Sequence, residues 1–316
     1  MRGPIDFHAH LIDPAVYSET QAFSIFAQTT DAARAASVIA RMADIDERIA
    51  AMESMDVGTQ VLSSSLVHQC SYDAKPAEAL RLDAAMNDTI ARAVAAHPDR
   101  FRGLGSVPLQ APDLAVRELT RCVTELGLSG VTISTRVREL EIGDAALRPF
   151  WEAAEALGAV VFVHPAGNHD QRFRKWQLWN SIGQSFEEAM AIASLFYEGI
   201  LDAYPKLKIV VSHGGGYMPF YLGRIARNYV EKPATRVNMT KPPIEYLRML
   251  HYDTCVYDPD TLADLVRIVG SERIVMGSDY PVGDMTPAQF VRDCTALDAA
   301  GQEQVLAGNA ARLLAR

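Results

Sequence analysis

Histidines and one aspartate stand at the ends of successive apolar runs in this chain. That placement restricts the possible folds more than any other feature. His8 and His10 close the run Pro-Ile-Asp-Phe-His-Ala-His, His164 closes Ala-Val-Val-Phe-Val-His, His213 closes Lys-Ile-Val-Val-Ser-His, and Asp279 closes Arg-Ile-Val-Met-Gly-Ser-Asp. Short β-branched runs bounded by Gly, Pro or polar turns read as buried strands. A fold that points several such strands in one direction collects their terminal side chains at one spot.

Eight such runs occur, at 5–10, 60–64, 103–108, 130–134, 160–164, 208–213, 252–256 and 273–279. Between them lie Ala-, Leu- and Glu-rich stretches of helical period, at 41–55, 76–97, 114–126, 145–157, 186–203, 259–269 and 287–300. Strands alternating with helices imply parallel βαβ units. Eight repeats are the count of a closed (β/α)8 TIM barrel, whose catalytic face is the C-terminal end of the strands. An open doubly wound sheet is the runner-up. It would normally carry a glycine-rich phosphate loop after its first strand, and none is found there. The chain is therefore read as a single barrel domain over 1–316. An insertion over about 11–40, rich in Pro14, Tyr17, Phe23 and Phe26, lies over the barrel mouth. A second excursion, 167–184, follows the His164 strand and carries Arg172, Arg174, Lys175, Trp176 and Trp179.

The 316 residues are 49% hydrophobic and carry a net charge of −9, so the chain holds material for one large core. The charge gives no basic stripe for nucleic acid and disfavours anionic membranes, though it leaves room for an anionic small substrate inside a pocket. No apolar run approaches the roughly 20 residues of a membrane helix. Cys70, Cys122, Cys255 and Cys294 are scattered without CxxC spacing, and the first residues run straight into a strand without a leader pattern. A cytoplasmic protein with reduced thiols is expected.

In a strand, residues i and i+2 share a side, so His8 and His10 can grip one ion. With His164 and Asp279 they form a nitrogen/oxygen set that suits Zn²⁺ and also Mn²⁺, Fe²⁺ or Co²⁺, leaving a position for water. No organic cofactor is called for. His213 is either a further ligand or a base acting on the metal-bound water. Its three following glycines permit close backbone approach. His97 reads as a helix-end residue and His251 as structural at the barrel bottom. His68 and His169 lie in loops after strands two and five and are candidate pocket residues.

These motifs, in this order, resemble the amidohydrolase superfamily. The nearest branch is that of aminocarboxymuconate-semialdehyde decarboxylase and related aromatic-acid decarboxylases. The likeness runs over nearly the whole chain, including Arg100-Phe101-Arg102, Leu222-Gly223-Arg224 and Gly308-Asn309-Ala310. It implies a zinc-bearing barrel with His8, His10, His164 and Asp279 as ligands and His213 as the catalytic acid/base. It also implies a homodimer in which Arg224 reaches a substrate carboxylate in trans, and a pocket lined by Trp176. A surface salt bridge is the plainer role for Arg224, and packing the plainer role for Trp176. The departures fall on substrate recognition. The second interface arginine of the branch falls at or near Lys232. Its pocket arginine aligns with Ala36, with Arg34 and Arg41 nearby but out of register. Val282 stands where an aromatic follows Gly-Ser-Asp-Tyr-Pro.

The expected reaction is nonoxidative decarboxylation of an unsaturated or aromatic acid, with a small-molecule carboxylate as the partner. The same site also suits metal-dependent hydrolysis of a lactone, amide or ester, or hydration of a conjugated diacid. Fold does not choose among these, and for hydrolysis Asp279 would take the water's proton.

Overall fold

The computed structural model describes residues 1–64, 71–168 and 170–315. Eight parallel strands form one sheet: β1 Ile5–His10, β2 Thr59–Ser63, β3 Phe101–Gly105, β4 Gly130–Ile133, β5 Val160–Val163, β6 Lys208–Val211, β7 His251–Asp253 and β8 Ile274–Val275. They are ordered by sequence around the sheet. The ring closes where Phe7 N donates to Met276 O, His10 N to Tyr280 O and Asp279 N to His8 O, at 2.8–3.0 Å. The protein is a (β/α)8 barrel, and each expected strand appears within a few residues of its place. A two-stranded antiparallel ribbon, Arg136–Val137 with Leu140–Glu141, follows β4.

Two apolar cores follow from strand alternation. Ile5, Phe7, Val61, Leu104, Val160, Phe162, Val210 and Val275 fill the barrel, joined by Leu313 and Leu314 of the last helix, Asn309–Leu314. Residues of opposite parity, such as Val161, Val163, Ile209 and Val211, face the helices. β1 changes parity partway. Its register on β2 shifts between Asp6 and Ala9, a bulge of one residue. Ile5 lies below it in the interior cluster; Phe7 and His8, the bulged pair, both turn inward onto Phe162; above it Ala9 joins the outer core and His10 faces inward. A bulge re-aims side chains in this way without breaking the sheet.

Helices depart from expectation where a capping or breaking residue intervenes. The stretch expected at 41–55 is two helices, Ala32–Ala43 and Ile45–Ser54. Asp44 separates them, its side chain accepting from Glu47 N. The stretch expected at 186–203 splits at Gly199 into Ser185–Tyr197 and Ile200–Ala203. That expected at 287–300 stops at Arg292 and resumes at Ala299. The 11–40 region is mainly helical, with Pro14–Thr20, Ile25–Thr29 and the start of Ala32–Ala43. No described helix is long and apolar enough to cross a membrane.

His251 begins β7 at the barrel bottom, and its ring is held largely out of water. Burial, with the nearby Arg273 charge, lowers its pKa to about 4. An unfolded histidine titrates near 6.5. Between those values the unfolded chain binds the extra proton and the folded chain does not. The stability contributed by the neutral ring is therefore complete above pH 6.5 and is lost as pH falls towards 4. His251→Gln should flatten the fall in stability across that window by at most about 3 kcal/mol. Urea melts at pH 7 and 4.5 measure it, and parallel falls in the two proteins would remove the assignment.

Candidate metal centre

His8, His10, His164 and Asp279 meet at the C-terminal mouth of the barrel, where each offers a ligand atom within 4.8 Å of the others. His8 comes from the bulge of β1 and His10 from beyond it, His164 directly follows β5, and Asp279 follows β8. All four are buried or nearly so. Asp279 Oδ1 lies 2.8 Å from His10 Nε2 and 3.3 Å from His8 Nε2. The two Nε2 atoms are 3.1 Å apart. His8 Nδ1 lies 2.6 Å from Asp253 Oδ2. A proton on Nδ1, donated to that carboxylate, leaves the Nε2 lone pair facing the centre. Nitrogen lone pairs facing each other at such range need a proton or a cation between them.

Electrostatics agree with that need. Burial opposes charge on His8, but Asp279 and Asp253 outweigh it and lift its pKa to about 9. Burial, together with the charges of His8 and His213, lowers His10 to about 4 against the pull of Asp279. Burial and the neighbouring histidines push His164 well below its ordinary value. Burial would raise Asp279, yet His8, His10 and His213 hold it well below the usual carboxylate range. The group attracts positive charge but cannot place a proton on every nitrogen. A divalent cation fits this donor set, three imidazoles and one carboxylate.

His213 stands beside this set. Its Nε2 is 3.8 Å from Asp279 Oδ2 and its Nδ1 is 2.6 Å from Glu188 Oε1. Glu188 is fully buried, and the same oxygen accepts from Ser212 Oγ at 2.5 Å. Burial alone would discharge His213, but the Glu188 carboxylate and Asp279 raise its pKa well above the ordinary value. The last of the three glycines after His213 serves this contact. Gly216 has φ +60°, and a Cβ there would lie 2.2 Å from Ser185 O. The start of helix Ser185–Tyr197 therefore packs directly against the loop and brings Glu188 under the imidazole. Gly216 thus admits a helix of the same chain while also lining the cavity.

A cavity of about 1300 Å³ opens above these residues. His10, His164, His213 and Asp279 line its floor, and Phe26, Arg34, Val38 and Met42 of the 11–40 region line one wall. Arg34 is the one Lys or Arg among its described lining residues. Trp176, expected to line the pocket, is instead 81% exposed and does not line the cavity. Trp179, 6% exposed, takes that place. Trp176 and Gln177 both have positive φ, 55° and 56°, and this turn swings the later tryptophan inward. The Trp179 Nε1 then donates to Gln177 Oε1 at 2.8 Å. Arg224 lies exposed on the outer helix Leu222–Glu231, away from the cavity of its own chain. His68 and His169 lie outside the described residues. Glu188 and Asp253 were missed by sequence reasoning. Asp253 alone left a signal, as an acidic residue inside the apolar run 252–256.

An eight-stranded barrel with three histidines and an aspartate at its C-terminal mouth defines a class of metal-dependent barrel enzymes. The amidohydrolase family profile matches residues 5–316, and the chain belongs to that family. It is 37% identical over 277 residues to the 2-amino-3-carboxymuconate-6-semialdehyde decarboxylase of Dictyostelium discoideum, covering 86% of this chain and 76% of that protein. It is 32% identical over 295 residues to the gamma-resorcylate decarboxylase of Rhodococcus jostii, covering 87% and 88%. Among solved structures, a dihydroxybenzoic acid decarboxylase from Polaromonas, with bound manganese and 2-nitroresorcinol, superposes with a TM-score of 0.88 at 26% identity, covering 99% of this chain and 97% of that one. A 5-carboxyvanillate decarboxylase from Sphingomonas paucimobilis gives 0.88 at 29% identity, covering 99% and 98%.

Proposed function

We propose that the protein is a metal-dependent nonoxidative decarboxylase of an unsaturated or aromatic acid. The observation that carries this is His213 clamped by Glu188 beside the His8, His10, His164 and Asp279 set, in a chain whose relatives are decarboxylases. Those four residues are the ligands, and zinc or manganese suits them. When bound, the cation supplies Lewis-acid stabilisation of negative charge beside the reacting carbon. His213 holds the proton. Glu188 fixes its Nδ1–H, so Nε2 faces the cavity and delivers a proton to the carbon that bears the carboxylate. The carbon–carboxylate bond then breaks, its electron pair restores the conjugated system, and CO₂ leaves. The 11–40 region and Trp179 exclude water above that step. The free, buried thiols of Cys122, Cys255 and Cys294 suit a reducing cytoplasm.

The experiment is metal analysis followed by CO₂ release from a panel of amino-, hydroxy- and semialdehyde-substituted muconates and benzoates. About one metal per chain, with activity lost on chelation and restored by metal, is the expected result. CO₂ release that survives complete metal removal would sink the scheme.

The working unit is a homodimer. Tyr217 and Phe220 on the cavity rim are exposed and continue into exposed Tyr221 and helix Leu222–Glu231, which buries none of its own residues. A second copy seated there covers the rim and brings Arg224 to the neighbouring cavity, where its guanidinium fork suits a carboxylate. Arg224→Ala should raise KM about 10- to 100-fold with metal content unchanged. Refolding that variant together with His213→Asn should restore low-substrate activity above either alone, because one site in the mixed dimer is whole. No restoration would place Arg224 in cis or outside the site.

A further inference from the structure

Three residues other than glycine at the ends of β6, β7 and β8 hold left-handed backbone: His213 at φ 48°, Tyr257 at 58° and Asp279 at 58°. Such conformations cost of order 1–3 kcal/mol each and persist where surrounding structure enforces them. His213 and Asp279 belong to the proposed centre. Tyr257 shares their backbone signature and their cavity, and neither the sequence reading nor the mechanism above gives it a role.

Its side chain is placed with care. The residue is 55% exposed, its ring forming cavity wall, yet its hydroxyl donates to Asp279 Oδ2 at 3.1 Å, inside the mouth. Room for that hydroxyl is kept by Gly283, where a Cβ would lie 2.8 Å from it and 2.3 Å from Ser278 O. The loop is pinned on its far side by Asp258, which caps helix Pro259–Val269 through Thr261 N at 2.8 Å. The two oxygens of Asp279 thus have separate surroundings. Oδ1 faces His10 and His8 at 2.8 and 3.3 Å. Oδ2 accepts from Tyr257 and faces His213 Nε2 at 3.8 Å.

We infer that Tyr257 is a positioning residue that keeps Asp279 a one-oxygen ligand. Its hydroxyl occupies Oδ2, so that only Oδ1 turns to the metal, and Oδ2 stays beside His213 to hold that imidazole in line. The inference rests on the metal centre proposed above. Without the hydroxyl, Asp279 is free to rotate and offer both oxygens, which fills a coordination position that substrate needs and withdraws the partner of His213. A neutral donor to a carboxylate has an effect of about tenfold or more.

The test is Tyr257→Phe, which keeps the ring and removes only the hydroxyl. Resting protein, loaded with cobalt(II) and free of substrate, reports coordination through its visible spectrum, and this readout stands apart from the identity of the substrate. The expected result has three parts. Cobalt binds at one per chain as in wild type. Visible absorption weakens as coordination number rises. With a turned-over acid, kcat falls about 10- to 100-fold while KM changes less than about threefold. An unaltered cobalt spectrum overturns the inference, whatever happens to turnover; a loss confined to KM then makes Tyr257 a substrate contact only. Failure of the wild-type protein to take up cobalt overturns the metal centre itself, and this inference with it.

Discussion

His213→Asn should lower kcat by about 10²–10⁴-fold while leaving one metal per chain and a KM within a few-fold of wild type. The expectation comes from geometry. His213 is the one described imidazole at the cavity floor outside the four-residue metal group, and its Nε2 stands 3.8 Å from Asp279 Oδ2. Its Nδ1 is committed to Glu188 at 2.6 Å, which removes the alternative tautomer and keeps the ring cationic. Asparagine keeps a polar group of similar reach but has no proton to transfer at neutral pH. Glu188→Gln should act through the same ring, more weakly, by about 10- to 100-fold. The amide would no longer hold a charged imidazole, though Ser212 and the packed helix would still place it. Steady-state kinetics on both variants, with metal analysis of the same samples, checks the pair. A His213→Asn protein with unchanged kcat would remove the imidazole from the reaction. A fall matched by loss of metal would make it a ligand.

The strand ends were legible because chemistry and period coincide there. A histidine or aspartate closing a β-branched run is conspicuous, and β1, β5, β6 and β8 each carry one within a few residues of the observed end. The bulge in β1 was not legible. Strict alternation from Ile5 and Phe7 would put His8 and His10 on the outer face, and only the register against β2 shows the parity change. Phe7 and His8 are themselves the bulged pair and both face inward onto Phe162, and the i, i+2 relation of His8 to His10 survives because regular pairing resumes at Ala9. Glu188 was hidden for a different reason. It reads as one polar position of an amphipathic helix, and its partner is 25 residues away in a loop whose path depends on Gly216. The tryptophans illustrate a local failure: two consecutive left-handed residues exchange the roles of Trp176 and Trp179. Arg34 was out of register with the pocket arginine of the branch, yet helix Ala32–Ala43 brings it to the cavity wall. Alignment position and place in space part company in an inserted region, where chain length is free to vary.

Metal affinity should separate ligands from the residues that orient them. Asp279→Ala removes the carboxylate shared by His8 and His10, so the purified protein should carry well under one metal per chain and show no measurable turnover. Asp253→Asn is the sharper test, since Asp253 meets His8 at Nδ1, the ring nitrogen turned away from the centre. Its Oδ1 accepts from Gly214 N at 3.2 Å and Cys255 N at 3.0 Å, and its Oδ2 accepts from His8 Nδ1. An asparagine must keep its oxygen on those two backbone donors, so its NH₂ faces His8. The imidazole then accepts at Nδ1 and carries its proton on Nε2, the atom aimed at the centre. A protonated nitrogen cannot ligate, and loss of such an outer contact costs about 10- to 100-fold in metal affinity. The fold should be unaffected, because the two backbone bonds and the side-chain volume are kept. Competition against a chelator gives the affinity, and thermal melts of the metal-free proteins give the control. Wild-type affinity in Asp253→Asn would show that His8 Nε2 does not bind the ion. A matching loss of metal-free stability would show that Asp253 holds the barrel mouth together rather than a tautomer.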